Sequence, residues 1–335
     1  MIMTPKQLIK FLLPWIFLII LLIYIISTDN MANVVDALRN INPIFLFISL
    51  VLIIGYWISE ASILRILLKD AAEKLSFKRI LSITLAGQFF NGITPFASGG
   101  QPAQLYLLHK YKVSVGKGAS VLTKKFIAYQ AALVLYGCAV LLFMSGFFKE
   151  YISNFIYLGI IGFLVNLAVI LMLVLVAVSP RTIKKIIISL TRALRKRMNY
   201  LRVTRKSLGI IRSVDLFHTH MKDASKEMGS LAIAFTLSLV QLTLFFLIPI
   251  TIGLGFQLTF SSLLNVIGAS AFVSMVTAFI PLPGAAIGAE GSFYMVFRIF
   301  YPANIIITAL LLWRIITYYL PIAIGGIVVI ADGGK

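Results

Sequence analysis

The chain has 335 residues, of which 60% are hydrophobic and 12% charged, and its mean hydropathy is +1.00. This is more apolar and less charged than a soluble globular domain, so water is not its main solvent. A net charge of +19 would suggest nucleic acid in a soluble protein, but no groove-reading motif or aromatic-interleaved basic platform accompanies the charge, and nucleic acid is not expected as a partner.

In chain order, Lys6 and Lys10 precede an apolar run in which Leu8 to Ser27 is long enough to cross a hydrocarbon core. No small-residue cleavage site follows at Ser27-Thr28-Asp29-Asn30, so the run is expected to be a retained first span. Further runs at 41–59, 126–148, 154–178, 230–254 and 303–330 bring the expected full spans to six. Two other apolar regions, 80–108 and 263–300, are interrupted by Pro, Gly, Asn and Gln and cannot carry a straight helix.

The basic residues decide the expected topology. Arg65, Lys69, Lys74, Lys78 and Arg79 lie before region 80–108, and Lys110, Lys112, Lys117, Lys124 and Lys125 lie after it. Both sets belong on the cytoplasmic side, so region 80–108 must enter and leave from one face, as a re-entrant hairpin. Residues 181–228 hold thirteen Lys or Arg against Asp215, Asp223 and Glu227 and are also cytoplasmic, as are both termini. Within this segment Ile183, Ile186, Ile187, Leu190, Leu194, Met198 and Leu201 recur at helical spacing, which makes an amphipathic helix. Two readings stay open for it: an interfacial helix on the anionic cytoplasmic leaflet, or a solvated connector that sets topology.

Region 80–108 contains Asn91-Gly92-Ile93-Thr94-Pro95-Phe96-Ala97-Ser98-Gly99-Gly100-Gln101-Pro102, followed by Gln104. Its prolines remove amide donors and its glycines admit backbone shapes closed to other residues. Unpaired backbone groups at membrane depth are costly unless they face protein or a wet cavity, so this break marks a candidate site. Asn91, Thr94, Ser98, Gln101 and Gln104 add neutral polar groups. The second break runs from Pro281 through Gly284 and Gly288 to Gly291 and contains Glu290. An intramembrane carboxylate needs a partner, and Arg314 in the last apolar run is the expected one, with Tyr318 a turn further along the same face. The pair either serves a site or clamps two helices.

Each break has an apolar lead-in, a proline after Thr94 or Ile280, a glycine-bearing turn, and a polar residue, Gln101 or Glu290, before the helix resumes. By the charge topology the two enter from opposite faces, which is the arrangement of an inverted-topology repeat. The expected fold is therefore all-α: a single integral membrane domain over residues 1–335, a polytopic helical bundle of six full spans and two re-entrant hairpins.

The stretch N-G-I-T-P-F-A-S-G-G-Q-P-A-Q, with P-L-P-G-A-A-I-G-A-E and the closing W-R-I-I-T-Y-Y-L-P, resembles the transmembrane region of the lysylphosphatidylglycerol synthase family. The resemblance implies a domain that moves lipids between leaflets, and it transfers a binding role onto Pro95, Gly99, Gly100, Gln101, Pro281, Gly284, Gly288, Glu290 and Arg314. The soluble domain that performs aminoacyl transfer in full-length synthases has no expected counterpart, since five residues follow the last apolar run.

The leading expectation is a lipid flippase of the cell membrane that binds substrate between the broken segments. Lys124 and Lys125, at the start of the run from Phe126, are either headgroup attractors or topology anchors. The alternatives are a structural or regulatory membrane protein without transport and a small-solute secondary transporter. An enzyme is not expected, because no Ser, His and Asp set, no paired carboxylates and no metal-ligand cluster occur. Cys138 is expected to pack as a small hydrophobe, and no cofactor is implied. Membrane lipids are the expected partners, with self-association and a separate lipid-modifying enzyme left open.

Overall fold

A computed structural model describes residues 31–69, 75–152, 156–178, 228–278 and 280–333, with isolated positions between 185 and 191. Among the described residues all regular structure is helical. The elements are α1 (Met31–Asn40), α2 (Pro43–Leu68), α3 (Phe77–Gly92), a first 3-10 turn (Pro95–Ala97), α4 (Gly100–Lys110), α5 (Val115–Phe143), α6 (Ser145–Ile152) and α7 (Ile156–Val178). They continue with α8 (Met228–Phe246), α9 (Ile248–Gly255), α10 (Leu263–Thr277), a second 3-10 turn (Pro283–Ala285), α11 (Gly288–Phe297), α12 (Ile306–Arg314), a π turn (Ile315–Tyr319) and α13 (Leu320–Gly333).

Four helical stretches among the described residues are long and apolar enough to cross a membrane: Pro43–Leu68, Val115–Phe143, Met228–Gly255 and Ile306–Asp332. They match four of the six expected spans. The run at 154–178 forms α7, of 23 residues, whose described apolar stretch is Tyr157–Met172. Leu8 to Ser27 lies outside the described residues, and the basic segment 181–228 lies almost entirely outside them.

Local chemistry moves several boundaries. Proline sits in the first turn of α2, where its missing amide is harmless, and the Asn42 side chain caps the helix by accepting from the Ile44 amide at 3.0 Å. The helix then runs past residue 59 to Leu68 and so takes Glu60 inside the bundle. α5 starts eleven residues before the expected 126 because Ser114 caps it and Lys117, Lys124 and Lys125 are helical residues. At 26 residues α2 is about 39 Å long, which exceeds the ~30 Å hydrocarbon layer.

A helix cannot continue into Pro95 or Pro283, because a proline ring forces the residue before it into extended backbone. Thr94 (φ −121°, ψ 145°) and Leu282 (φ −111°, ψ 151°) are both extended. Each proline is followed by two residues at positive φ, Phe96 (53°) and Ala97 (50°) in the first turn, Gly284 (58°) and Ala285 (50°) in the second. Matching hydrogen bonds close the turns: Ala97 to Thr94 and Ser98 to Pro95 in one, Ala285 to Leu282 and Ala286 to Pro283 in the other. This backbone register corrects the sequence alignment. Pro283, not Pro281, occupies the place of Pro95, and Glu290 falls opposite Pro102 rather than Gln101.

Each turn joins two short antiparallel helices, α3 with α4 and α10 with α11, and the two turns pack on one another. The bases of these helical pairs lie at opposite ends of the bundle. At one end the Lys110 ammonium donates to the Asp332 carbonyl, which ties the end of α4 to the end of α13. Beside them Arg79 stacks on the Tyr111 ring, and burial together with the Asp332 carboxylate raises the Tyr111 phenol above its usual pKa. At the other end Phe147 stacks on Phe300, the Tyr301 hydroxyl donates to the Pro249 carbonyl, and the Asn42 amide donates to Gly255. Large apolar side chains on α7, among them Ile161, Leu164, Leu171 and Met172, are exposed and fit a lipid surroundings rather than water.

Candidate functional site

The first turn is held by its own polar side chains. Asn91 Oδ1 accepts from the Gly100 amide at 2.9 Å, and Thr94 Oγ1 accepts from the Gly99 amide at 2.8 Å while donating to the Phe90 carbonyl at 2.6 Å. These bonds satisfy amides at the start of α4 that have no helical partner. A side chain at Gly100 would meet Asn91, which explains glycine at that position. Replacing Asn91 with Ala leaves the Gly100 amide unpaired, so the variant is expected to lose about 1–2 kcal/mol of stability in a thermal or chemical melt in detergent.

Gln101 and Gln104 part company. Gln101 is exposed, whereas Gln104 is buried and points back across the hairpin, where Gly87 leaves room for it. Its amide donates to Glu60 Oε1 at 3.3 Å, and its carbonyl accepts from Lys125 Nζ at 2.8 Å. Lys125 also pairs with Glu60 at 2.7 Å, and Gln88 donates to the second oxygen of Glu60. Helices α2, α3, α4 and α5 therefore each contribute to one buried ion-pair network. Lys124 and Lys125, expected at a cytoplasmic surface, are both turned inward; Lys124 is 3% exposed.

Glu290 and Arg314 form the expected pair. Arg314 Nε and Nη2 both lie 2.7 Å from Glu290 Oε1, and Nη2 also donates to the Gly284 carbonyl in the second turn at 3.1 Å. The guanidinium lies 4.4 Å from the centroid of Tyr318, whose hydroxyl donates to the Gly92 carbonyl of the first hairpin at 3.0 Å. Arg314 and Tyr318 thus link the two hairpins. Glu290 Oε2 is buried without a hydrogen-bond partner among the described residues. Of the other expected residues, Pro281 is exposed and Gly288 admits no side chain because Ile280 lies against it.

Between the two turns lies a cavity of about 610 Å³. Arg314, Tyr318 and Gly284 form one wall, and Tyr56, Tyr129, Gln130 and Asn166 supply polar groups elsewhere, with Gln130 bonded to Asn166 at 2.6 Å. Phe96 and Val165 also line it and are exposed, at 60% and 37%, so the cavity opens on the side of the bundle rather than being sealed within it. Among the described residues no group of three or more His, Cys, Asp or Glu could hold a metal.

The broken helices, the two buried acid–base pairs and the side-opening cavity now have a family context. The sequence profile of the lysylphosphatidylglycerol synthase TM region matches residues 8–325. The chain belongs to this family. It is also similar to a UPF0104 membrane protein of Archaeoglobus fulgidus, 25% identical over 296 residues that cover 87% of this chain and 88% of that protein. The family context makes the chain a membrane protein with several apolar helices, as the sequence implied.

Sequence reasoning missed Glu60, Gln88 and the Gln130–Asn166 pair. The apolar run that ends at residue 59 leaves Glu60 just beyond the expected span. The signal was present: Ala61 to Leu68 stays apolar apart from Ser62 and Arg65, so the carboxylate sits inside a helix and needs a cation.

Proposed function

We propose that this protein is a lipid transporter of the cell membrane that moves a phospholipid between leaflets, binding its headgroup in the cavity between the two hairpins. The observation that carries this reading is the cavity itself: polar groups and Arg314 inside, apolar exposed side chains at a mouth that opens sideways. A lipid needs such a mouth, since its headgroup must leave water while its chains stay in hydrocarbon. A closed central cavity would suit a small solute better.

Arg314 can donate to a phosphate. A guanidinium has five N–H groups, and Nη1 makes no hydrogen bond among the described residues. The orphan oxygen of Glu290 would accept from a hydroxyl or ammonium of the same headgroup. We place the two hairpins as re-entrant segments, the base of the first and the end of α13 facing the cytoplasm, because Arg79, Lys110 and Lys112 cluster there and only sparse charges such as Lys149 and Arg298 mark the other end. No chemical step is assigned to the chain, and the protein is proposed to act without enzymatic turnover.

The test uses purified protein in liposomes that carry a fluorescent phospholipid, with a membrane-impermeant reductant bleaching the outer leaflet. The wild type is expected to expose the inner pool to bleaching, and Thr277→Trp, which fills the cavity from α10, is expected to slow exposure at least tenfold while staying folded. Folded wild-type protein that moves no phospholipid would overturn the proposal in favour of a packing or regulatory role.

A further inference from the structure

The two hairpins share more than a turn. Counting from the turn proline, Lys125 lies 30 residues after Pro95 and Arg314 lies 31 residues after Pro283. Each cation stands on the long helical stretch that follows its hairpin, α5 or the run from α12 through α13. Each reaches back to the resumed limb of that hairpin, Lys125 to Gln104 on α4 and Arg314 to Glu290 on α11. Each is paired with a carboxylate at 2.7 Å, Glu60 buried and Glu290 half-buried.

Neither cation is saturated by the bonds found. Lys125 Nζ has three donors and uses two, on Glu60 and Gln104, while its side chain keeps 12% of its surface accessible. Polar groups extend from the first pair to the cavity that the second pair borders. The Tyr56 phenol lies within electrostatic reach of Glu60, Gln88 and Tyr129, and both tyrosines line the cavity that Arg314 also lines. Polar groups thus lead from Lys125, which stands outside the cavity lining, through Glu60 and Gln88 to Tyr56 and Tyr129, and these two face the same cavity as Arg314.

We infer that Lys125, held by Glu60 and Gln104, is a second phosphate-binding station, the repeat-related counterpart of Arg314, and that a phospholipid headgroup passes between the two cations by way of Tyr56 and Tyr129. The inference rests on the reading of the cavity as a lipid site and adds a second binding position to it. Paired carboxylates suit such a path. A bare buried cation would hold a phosphate too firmly to release it, whereas a cation with its own counter-ion exchanges one anion for another.

The experiment measures both binding and movement of phosphatidylglycerol. Purified protein in detergent is titrated with the lipid and the bound lipids are counted by native mass spectrometry. The same proteins are then assayed in liposomes for movement of a fluorescent phosphatidylglycerol. The variants are Lys125→Arg, which keeps the charge, and the double variant Glu60→Gln with Lys125→Met, which removes both charges and leaves no orphan ion to unfold the bundle. Circular dichroism and size-exclusion elution check that each variant is folded.

The expected result is two tightly bound lipids on the wild type and on Lys125→Arg, one on the double variant, and at least tenfold slower movement for the double variant alone. A folded double variant that binds and moves lipid within twofold of wild type would overturn the inference and leave the cavity reading intact. Wild-type protein that binds phosphatidylglycerol through Lys125 but moves none would sink the transport reading and leave the second station standing. If the double variant does not fold, Glu60→Gln with Lys125→Gln, which removes both charges and keeps an amide against Gln104, is titrated instead, and unchanged lipid stoichiometry there overturns the inference.

Discussion

Replacing Arg314 with Met is expected to remove about 3–5 kcal/mol of stability, since it strands the Glu290 carboxylate in a site with no other cation among the described residues. The loss has three sources. The ion pair goes, the Gly284 carbonyl loses its donor, and the Tyr318 ring loses the cation stacked on it. The double variant Arg314→Met with Glu290→Gln should recover most of the melting temperature, because it removes both charges and leaves a neutral amide that can bond locally. Thermal unfolding in detergent measures both. Lipid movement should stay lost in the double variant, since the phosphate donor is gone. A single Arg314→Met variant as stable as wild type would mean that water reaches the Glu290 carboxylate freely, contrary to its placement here.

Gly284→Ala is the other severe change. Its φ of 58° is a conformation that an L residue adopts at a penalty of about 1 kcal/mol, and the added methyl would stand 2.0 Å from Tyr318 Cε2. The ring cannot swing away freely, because its hydroxyl is bonded to Gly92 and its face carries Arg314. The expected loss is about 2–4 kcal/mol, the range of strain plus overpacking. Adding Tyr318→Ala should return part of it by opening the space, and a melt of the two variants side by side checks the point. Phe96 gives the internal comparison: it holds the same place in the first turn with φ 53° and is 60% exposed, so only the conformational penalty applies there.

The breaks in the chain were legible because proline and glycine act locally. Pro95 and Pro283 end a helix whatever surrounds them, and both turns lie within the segments singled out from sequence. The Glu290–Arg314 pair was legible for a related reason: isolated opposite charges in an apolar stretch have few other solutions. The register between the hairpins was not, since Pro281 and Pro283 are two residues apart and only backbone dihedrals tell which one turns the chain. Nor was the Glu60 network, which needs four helices to converge. Gln101 and Gln104 show the limit most clearly: they differ by three positions, and whether either one faces inward depends on how α4 is rotated against Gly87. Lys125 carried the right charge signal but the wrong address, because the positive-inside rule reads side-of-membrane preference and not which way a helix face is turned.

The matching of each cation to a carboxylate has an electrical consequence. With Lys125 set against Glu60 and Arg314 against Glu290, the two pairs add no net charge to the proposed path, so whatever charge crosses belongs to the headgroup alone. A transmembrane potential of 100 mV does about 2.3 kcal/mol of work on one elementary charge carried across the full field. A lipid of single negative charge would therefore be driven outward by a potential negative inside, while one of balanced charge would feel no such push. The same protein would accumulate the first in the outer leaflet and even out the second between leaflets.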